Sequence, residues 1–457
     1  MEARQLSKSH LAAISSMGLA LATTACSGSY AAMREDVDRA APPSQSAPVD
    51  DERTLSGPVL DRAAYVRAVL HRNTSVEAAR QGWRAAVARV RVTGTLDDPM
   101  VDLGLAPLSV GSSSAPLGWT ASISQRLPWP GKLGFEESVA KAEAQAAKSD
   151  FEATRRELAL SAALLYDQYF VAVRSLEINE QHIALMRALK AGALAQFESG
   201  RGSAQDPLQA EAELTHMEHD AVILASDRDV TVAQMNELLH RDPASDLPPP
   251  ARDLATPASP DLSDAKKLET EASERRPEID AARMRARAEQ ARAERAQRES
   301  YPDLTVSTSY NSMWAMPEHR WMVGIGFNLP LELGRRKGGV EEADAARARF
   351  ESEAASLSDK ARTEVAVALH RLEEAAHVVH LYEDRLVPVA RDQVDAARAG
   401  FIASRNDFVA VVGAEKNLRS VELEYQMARA NLDRRRAELD RALGRMPGLD
   451  PGGEVSP

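Results

Sequence analysis

Two stretches decide the architecture: Trp119-Thr-Ala-Ser-Ile-Ser-Gln-Arg-Leu-Pro128 and Trp321-Met-Val-Gly-Ile-Gly-Phe-Asn-Leu-Pro330. Each begins with tryptophan, ends in Leu-Pro, and alternates apolar residues with small or polar ones. That period-two pattern belongs to a strand with one apolar face. A second alternating run precedes each stretch. Leu304, Val306, Thr308 and Tyr310 alternate clearly, and Val101, Leu103 and Leu105 do so more weakly. Each half of the chain therefore carries one hairpin, at about 99–127 and about 302–330. Strands of roughly ten residues would be long enough to cross a bilayer when tilted.

Outward from these hairpins the correspondence continues in order. Val76-Glu-Ala-Ala-Arg80 matches Ile279-Asp-Ala-Ala-Arg283, and Asp98-Pro99 matches Tyr301-Pro302. Gly131-Lys132 matches Gly334-Arg335, and the segment Gly200 to Asp206 matches Gly400 to Asp407 with one extra residue. The chain is a tandem duplication, with repeats at 59–241 and 264–445. Between them, residues 242–263 hold Pro243, Pro248, Pro249, Pro250, Pro257 and Pro260, a composition that stops helices and marks a linker.

The rest of each repeat reads as helix. Gly131 to about Ser199 contains no proline, and about Val340 to Ala399 contains only Pro388. Returning helices are expected at about 207–241 and 407–443. Such lengths pack side by side as coiled coils rather than around a compact core. The fold class is thus mainly α with a β portion contributed by four strands per chain. Four strands leave two edges whose backbone groups lipid cannot satisfy, so a membrane reading requires sister copies: two would give eight strands, three would give twelve. A small soluble sheet on a helical bundle is the competing reading, set against the aggregation hazard of a Trp-led apolar face in water.

Composition narrows the function classes. The 457 residues carry a net charge of −12, which disfavours nucleic acid as a partner. One cysteine, Cys26, excludes an internal disulfide framework and a multi-cysteine zinc site. No GxxxxGK[ST], HExxH or GxSxG motif occurs, so no catalytic residues and no cofactor are assigned and the protein is not read as an enzyme. Glu373, His377 and His380 share a helix face, His216 and His219 lie three apart, and Met313, Met316, His319 and Met322 cluster at the second hairpin loop. Solvated helix faces and methionine packing account for these, and no metal site is assigned.

At the N-terminus, Arg4 and Lys8 precede an uncharged stretch from Leu11 to Ala25. It is too short to span a bilayer and suits a signal peptide, residues 1–25. The small residues before Cys26 resemble a bacterial lipoprotein signal, although Thr23 stands where leucine is usual. Such a signal implies lipid attachment at Cys26, and Ser27 after it resembles the signal for transfer to the outer membrane. Residues 26–58 read as a flexible tether and 446–457 as a disordered tail.

The tandem hairpin-plus-long-helix arrangement resembles the TolC-like outer-membrane efflux channel family. Ser124-Gln-Arg-Leu-Pro-Trp-Pro-Gly-Lys-Leu133 resembles its strand-to-helix junction, particularly in the lipidated heavy-metal-efflux branch, and the segments ending at Asp206 and Asp407 resemble its helix-hairpin turns. The resemblance implies a homotrimer with a twelve-stranded barrel in outer-membrane lipid and a periplasmic α-barrel of coiled-coil helices. It implies docking on a periplasmic adaptor and an inner-membrane pump, RND-type before ABC-type. It also places an acidic ring at Asp407, with Asp206 as the counterpart in the first repeat; Arg405 either pairs across the closed mouth or stands solvated. Both aspartates also suit helix N-termini; Pro207 directly after Asp206 favours the capping role there, while Asp407 stays open between cap and ring. Ala410 stands where a second acidic position is common, which puts a double ring in doubt. The competing class is a periplasmic coiled-coil adaptor or structural lipoprotein, which would carry a further soluble β-domain.

Overall fold

The computed structural model describes residues 27–40, 55–111, 113, 117–252, 254, 265–403 and 405–449. The signal segment 1–25, Cys26, residues 255–264 of the linker and 450–457 of the tail lie outside the described residues. The elements in chain order are α1 (Ser27–Arg39), α2 (Arg62–Arg72), α3 (Thr74–Thr93), β1 (Met100–Leu105), β2 (Trp119–Leu127), α4 (Lys132–Glu198) and α5 (Gln205–Leu238). They continue with α6 (Ala265–Arg275), α7 (Pro277–Arg298), β3 (Leu304–Asn311), β4 (Trp321–Phe327), α8 (Leu333–Leu381), α9 (Val387–Ile402) and α10 (Phe408–Ala442). The two hairpins and the long helices fall where alternation and the absence of proline put them. The strands are shorter than ten residues; β1 stops at Leu105 because Pro107–Ser109 turns into a 3-10 helix.

Two compact units are distinguished, and α3, α4 and α8 each run from one into the other. The first comprises the N-terminal segment with Ala79–Phe151 and Glu278–Ser356. Its sheet has the order β1-β2-β3-β4, all antiparallel. Beneath the sheet α3, α4 and α7 meet through small residues. Val139 and Ala142 pack on Ala288 and Ala291, and Trp83 stacks on Phe151 at 5.6 Å.

α1 corrects the tether reading. Composition made residues 26–58 flexible, yet Ser27–Arg39 form a helix. Tyr30, Met33 and Val37 recur at helical spacing. Val37 is fully buried, the Tyr30 ring lies under Arg91 at 5.7 Å, and Asp36 pairs with Lys148 at 3.1 Å. Arg34–Asp38 and Arg39–Asp36 pairs support the helix from within. The far end of the supposed tether is also packed, with Leu55 buried.

The second unit comprises Pro42–Ala78, Glu152–Pro277 and Leu357–Pro457. Its core is a helical layer in which Tyr65, Val66 and Val69 of α2 meet Ala159, Ala163, Tyr166 and Phe170 of α4, Met235 of α5 and Ala437 of α10. The described part of the proline linker lies along this core. The Leu60 amide donates to the Pro249 carbonyl at 2.8 Å, and the Tyr169 hydroxyl donates to the Pro248 carbonyl at 3.1 Å. Met446 and Leu449 also pack there, so the tail begins later than residue 446.

The long helices of the two repeats differ. α4 runs uninterrupted for 67 residues, about 100 Å at 1.5 Å per residue. Its counterpart is broken by a π-turn at Tyr382–Leu386 between α8 and α9. Pro388 is the cause: it lacks an N–H, and its ring would collide with the carbonyl four residues earlier, so the preceding turn widens. The Tyr382 hydroxyl, inside this turn, donates to Glu424 of α10 at 2.8 Å.

Candidate functional site

Register sorts every strand residue onto one of two faces. Leu103, Ala121, Tyr310 and Trp321 form one cross-strand row, with Val101, Ile123, Thr308 and Val323 in the next. Gln125, Val306 and Ile325 follow, then Leu127, Leu304 and Phe327. The opposite face carries Asp102, Ser122, Ser309 and Met322, then Met100, Ser124, Ser307 and Gly324, then Arg126, Thr305 and Gly326. The apolar face is open: Leu103 and Val323 are each 80% exposed and Trp321 is 68% exposed. Among the described residues, no strand pairs with the outer edge of β1 or of β4.

At the base of the sheet one carboxylate joins the two repeats. Asp303, 4% exposed, accepts from Arg126 at 2.6 Å, from the Lys132 ammonium at 2.7 Å and from the Trp129 amide at 3.0 Å. The Trp129 ring stacks on Tyr301 at 5.2 Å. Burial alone would raise the Asp303 pKa, but the bonds from Lys132, Arg126 and the Trp129 amide outweigh it and hold the carboxyl down to about 2. This clamp fixes the angle at which β2 passes into α4. Sequence reading recognised the Leu-Pro-Trp-Pro-Gly-Lys junction but not Asp303, whose partners lie in the other repeat.

At the helix turns, Gly200 takes φ +70 and closes α4, with the amides of Arg201 and Gly202 donating to the Gln196 carbonyl. Asp206 lies in the first turn of α5, and its carboxylate accepts from the Ser203 amide at 3.3 Å. The Ser203 hydroxyl accepts from the Gln205 amide at 3.2 Å, a reciprocal cap. Asp407 differs. It occupies the N-cap of α10 with an extended backbone, yet its side chain makes no capping hydrogen bond and is exposed. Arg405 is exposed too, and its amide donates to the Gly400 carbonyl at 2.8 Å. Asp206 is therefore engaged locally, while the Asp407 carboxylate faces solvent.

A polar layer missed in the sequence ties the first-repeat helices to the second-repeat ones. Buried His182 of α4 donates from Nε2 to Glu422 of α10 at 3.1 Å, and its Nδ1 lies 4.0 Å from Glu415. Arg391 of α9 pairs with Glu422 at 3.0 Å, and Arg398 with Glu415. Arg419 donates to Asn179 at 2.7 Å and to Asp220 at 3.1 Å. The bond from His182, joined by Arg391, holds the Glu422 pKa below its ordinary value against burial. These partners are up to 240 residues apart, so no local pattern could reveal them.

Among the described residues, no group of three His, Cys, Asp or Glu side chains is close enough to hold a metal ion. At the second hairpin loop, Trp314 and His319 pack edge to face at 6.0 Å.

Comparison with known proteins follows the same lines. Residues 268–445 match the family described as outer membrane efflux protein. No curated protein matches the chain in sequence. Among solved structures it is similar to CusC, described in terms of transmembrane channel formation, with 16% identity and a TM-score of 0.71 over 84% of this chain and 92% of that one. It is similar to the outer-membrane channel OprN (20% identity, TM-score 0.69, 86% and 91% covered). It is also similar to the outer membrane protein VceC of Vibrio cholerae (19% identity, TM-score 0.69, 84% and 96% covered). The fold is that of the outer-membrane channels. The family match falls on the second repeat, and the likeness of the rest of the chain to these channels is one of fold.

Proposed function

We propose that the protein is the outer-membrane exit duct of a tripartite efflux system. It passively conducts substrates received from a periplasmic adaptor and an inner-membrane pump. The carrying observation is the sheet: four strands with an exposed apolar face and two unpaired edges. Unpaired backbone groups cannot remain in lipid. Three copies supply twelve strands, close the edges and turn the apolar face to the bilayer, with the Ser- and Gly-rich face lining the lumen. Lipid on Cys26 adds an anchor in the outer membrane, and the long helices form the periplasmic tunnel. Full-length protein extracted in detergent is expected to run as a trimer whose migration changes on heating. A monomer that stays soluble without detergent would instead favour a coiled-coil adaptor or structural lipoprotein.

The helix turns form the gate in this reading. Asp407 is free to act on the lumen because its carboxylate is not spent on capping. Three such carboxylates around a narrow axis attract cations and repel one another. Asp407→Ala should raise single-channel conductance or reduce cation preference in planar bilayers, whereas Asp206→Ala should change neither. Identical currents from Asp407→Ala and the parent protein would remove Asp407 from the gate.

A further inference from the structure

The seam inside the chain is a template for the seam between copies. β2 and β3 come from different repeats, and their junction is closed by Lys132 and Arg126 on Asp303. The open edges, β4 and β1, are the repeat-related counterparts of β2 and β3. β4 follows β2 by 202 residues (Trp119 to Trp321), and β3 follows β1 by 203 (Pro99 to Pro302). Moving Gln125 opposite Val306 through those offsets puts Phe327 opposite Leu103. Leu127 opposite Leu304 likewise becomes Leu329 opposite Val101. All four transferred residues are apolar and exposed, so the transferred register keeps both faces intact. A slip of one residue would turn every apolar side chain of β1 to the wrong side.

The charges transfer as well. Lys132, in Gly131-Lys132, becomes Arg335, in Gly334-Arg335. Asp303 becomes Met100, which cannot accept, but Tyr301, whose carbonyl also takes the Lys132 ammonium at 3.1 Å, becomes Asp98. Arg335 and Asp98 are both exposed, and neither makes an ion pair or side-chain hydrogen bond among the described residues. One open edge thus ends in an unused cation and the other in an unused anion. Arginine outreaches lysine, which suits an acceptor displaced by two residues.

We propose that Arg335 of one copy pairs with Asp98 of the next, closing between subunits the clamp that Lys132 and Asp303 close within each, with β4 and β1 in the register that sets Phe327 opposite Leu103. The proposal rests on the shared-barrel reading, and the experiment separates the two. Full-length protein in detergent is followed by heat dissociation in SDS. Asp98→Arg and Arg335→Asp should each dissociate roughly fivefold faster, and the double swap should return to within about twofold of the parent. For register, Phe327→Cys with Leu103→Cys should oxidise to heat-stable covalent oligomers. Phe327→Cys with Leu105→Cys should not, because directly opposed Cα atoms lie about 5 Å apart and diagonal ones about 7–8 Å. The parent, with Cys26 alone, is the blank. A trimeric parent whose double swap is as unstable as the two single effects combined overturns the pairing while leaving the shared barrel standing. Cross-linking through Leu105 instead of Leu103 overturns the register. A monomeric parent overturns both the clamp and the shared barrel.

Discussion

Replacing Asp167 with alanine is expected to destabilise the protein by about 3–5 kcal/mol, the usual cost of leaving a buried cation without its partner. Asp167 of α4 is fully buried and takes both arms of Arg62, at 2.9 and 2.8 Å. Arg62 belongs to α2 and also donates to the Asp433 carbonyl of α10 at 3.3 Å, so the pair ties three helices together. Without the carboxylate, a guanidinium only 17% exposed has lost its hydrogen-bonded countercharge and keeps only the more distant Asp433 and Asp440. The guanidinium denaturation midpoint of the helical signal should drop accordingly. Arg62→Met with Asp167→Leu should recover most of the loss, because two apolar groups need no partner.

Acidity gives an independent check on the same pair. Burial pushes the Asp167 carboxyl up to about 6 even with Arg62 pulling it down, and burial pushes Asp440 up to about 6 as well. In the unfolded chain both ionise near pH 4. Between about pH 4 and 6 the folded state therefore binds more protons, and stability falls as pH rises through that window, then levels. Asp167→Asn should flatten its share of this slope. A midpoint rising steadily from pH 4 to 6 would contradict the assignment.

Asp303→Ala should cost about 3 kcal/mol, less than a wholly buried pair because Arg126 is 58% exposed and solvent takes up part of its loss. Lys132 is only 12% exposed and bears most of the penalty. The effect should concentrate at the strand-to-helix junction, seen as protease cleavage near Trp129 and as dissociation of the proposed trimer at lower temperature. Asp303→Asn keeps an acceptor for the Trp129 amide and should fall between alanine and the parent. Here the acid sign is opposite to that of Asp167. With the carboxyl held down to about 2, the clamp contributes fully above about pH 4 and is lost as pH falls through about 2. Unchanged protease resistance in Asp303→Ala would mean that the backbone alone sets the junction.

What the sequence discloses depends on distance along the chain. Alternation at Trp321–Phe327 and the repeated Leu-Pro were enough to separate the two sheet faces, because side-chain period two leaves only one parity in each strand. The uninterrupted helix from Lys132 followed from missing prolines. α1 is hard to see in the sequence because its larger apolar residues, Tyr30, Met33 and Val37, stand among charges, and its support comes from Arg91 and Lys148 far downstream. Asp303 and the His182 layer were invisible for the same reason: their meaning is set by partners in the other repeat. At the turns, Pro207 already favours a capping role for Asp206, while the sequence leaves Asp407 open between cap and ring. Geometry then settles the pair: one carboxylate is bonded to the Ser203 amide and the other to no cap.

The π-turn at Tyr382–Leu386 has a mechanical consequence. α9, the 16 residues beyond it, forms a lever arm of about 24 Å, so flexing the turn by some 10° sweeps the far end through about 4 Å, a little more than a water molecule's width. The unbroken α4 has no such joint. Duplication has therefore produced one rigid mast and one jointed boom.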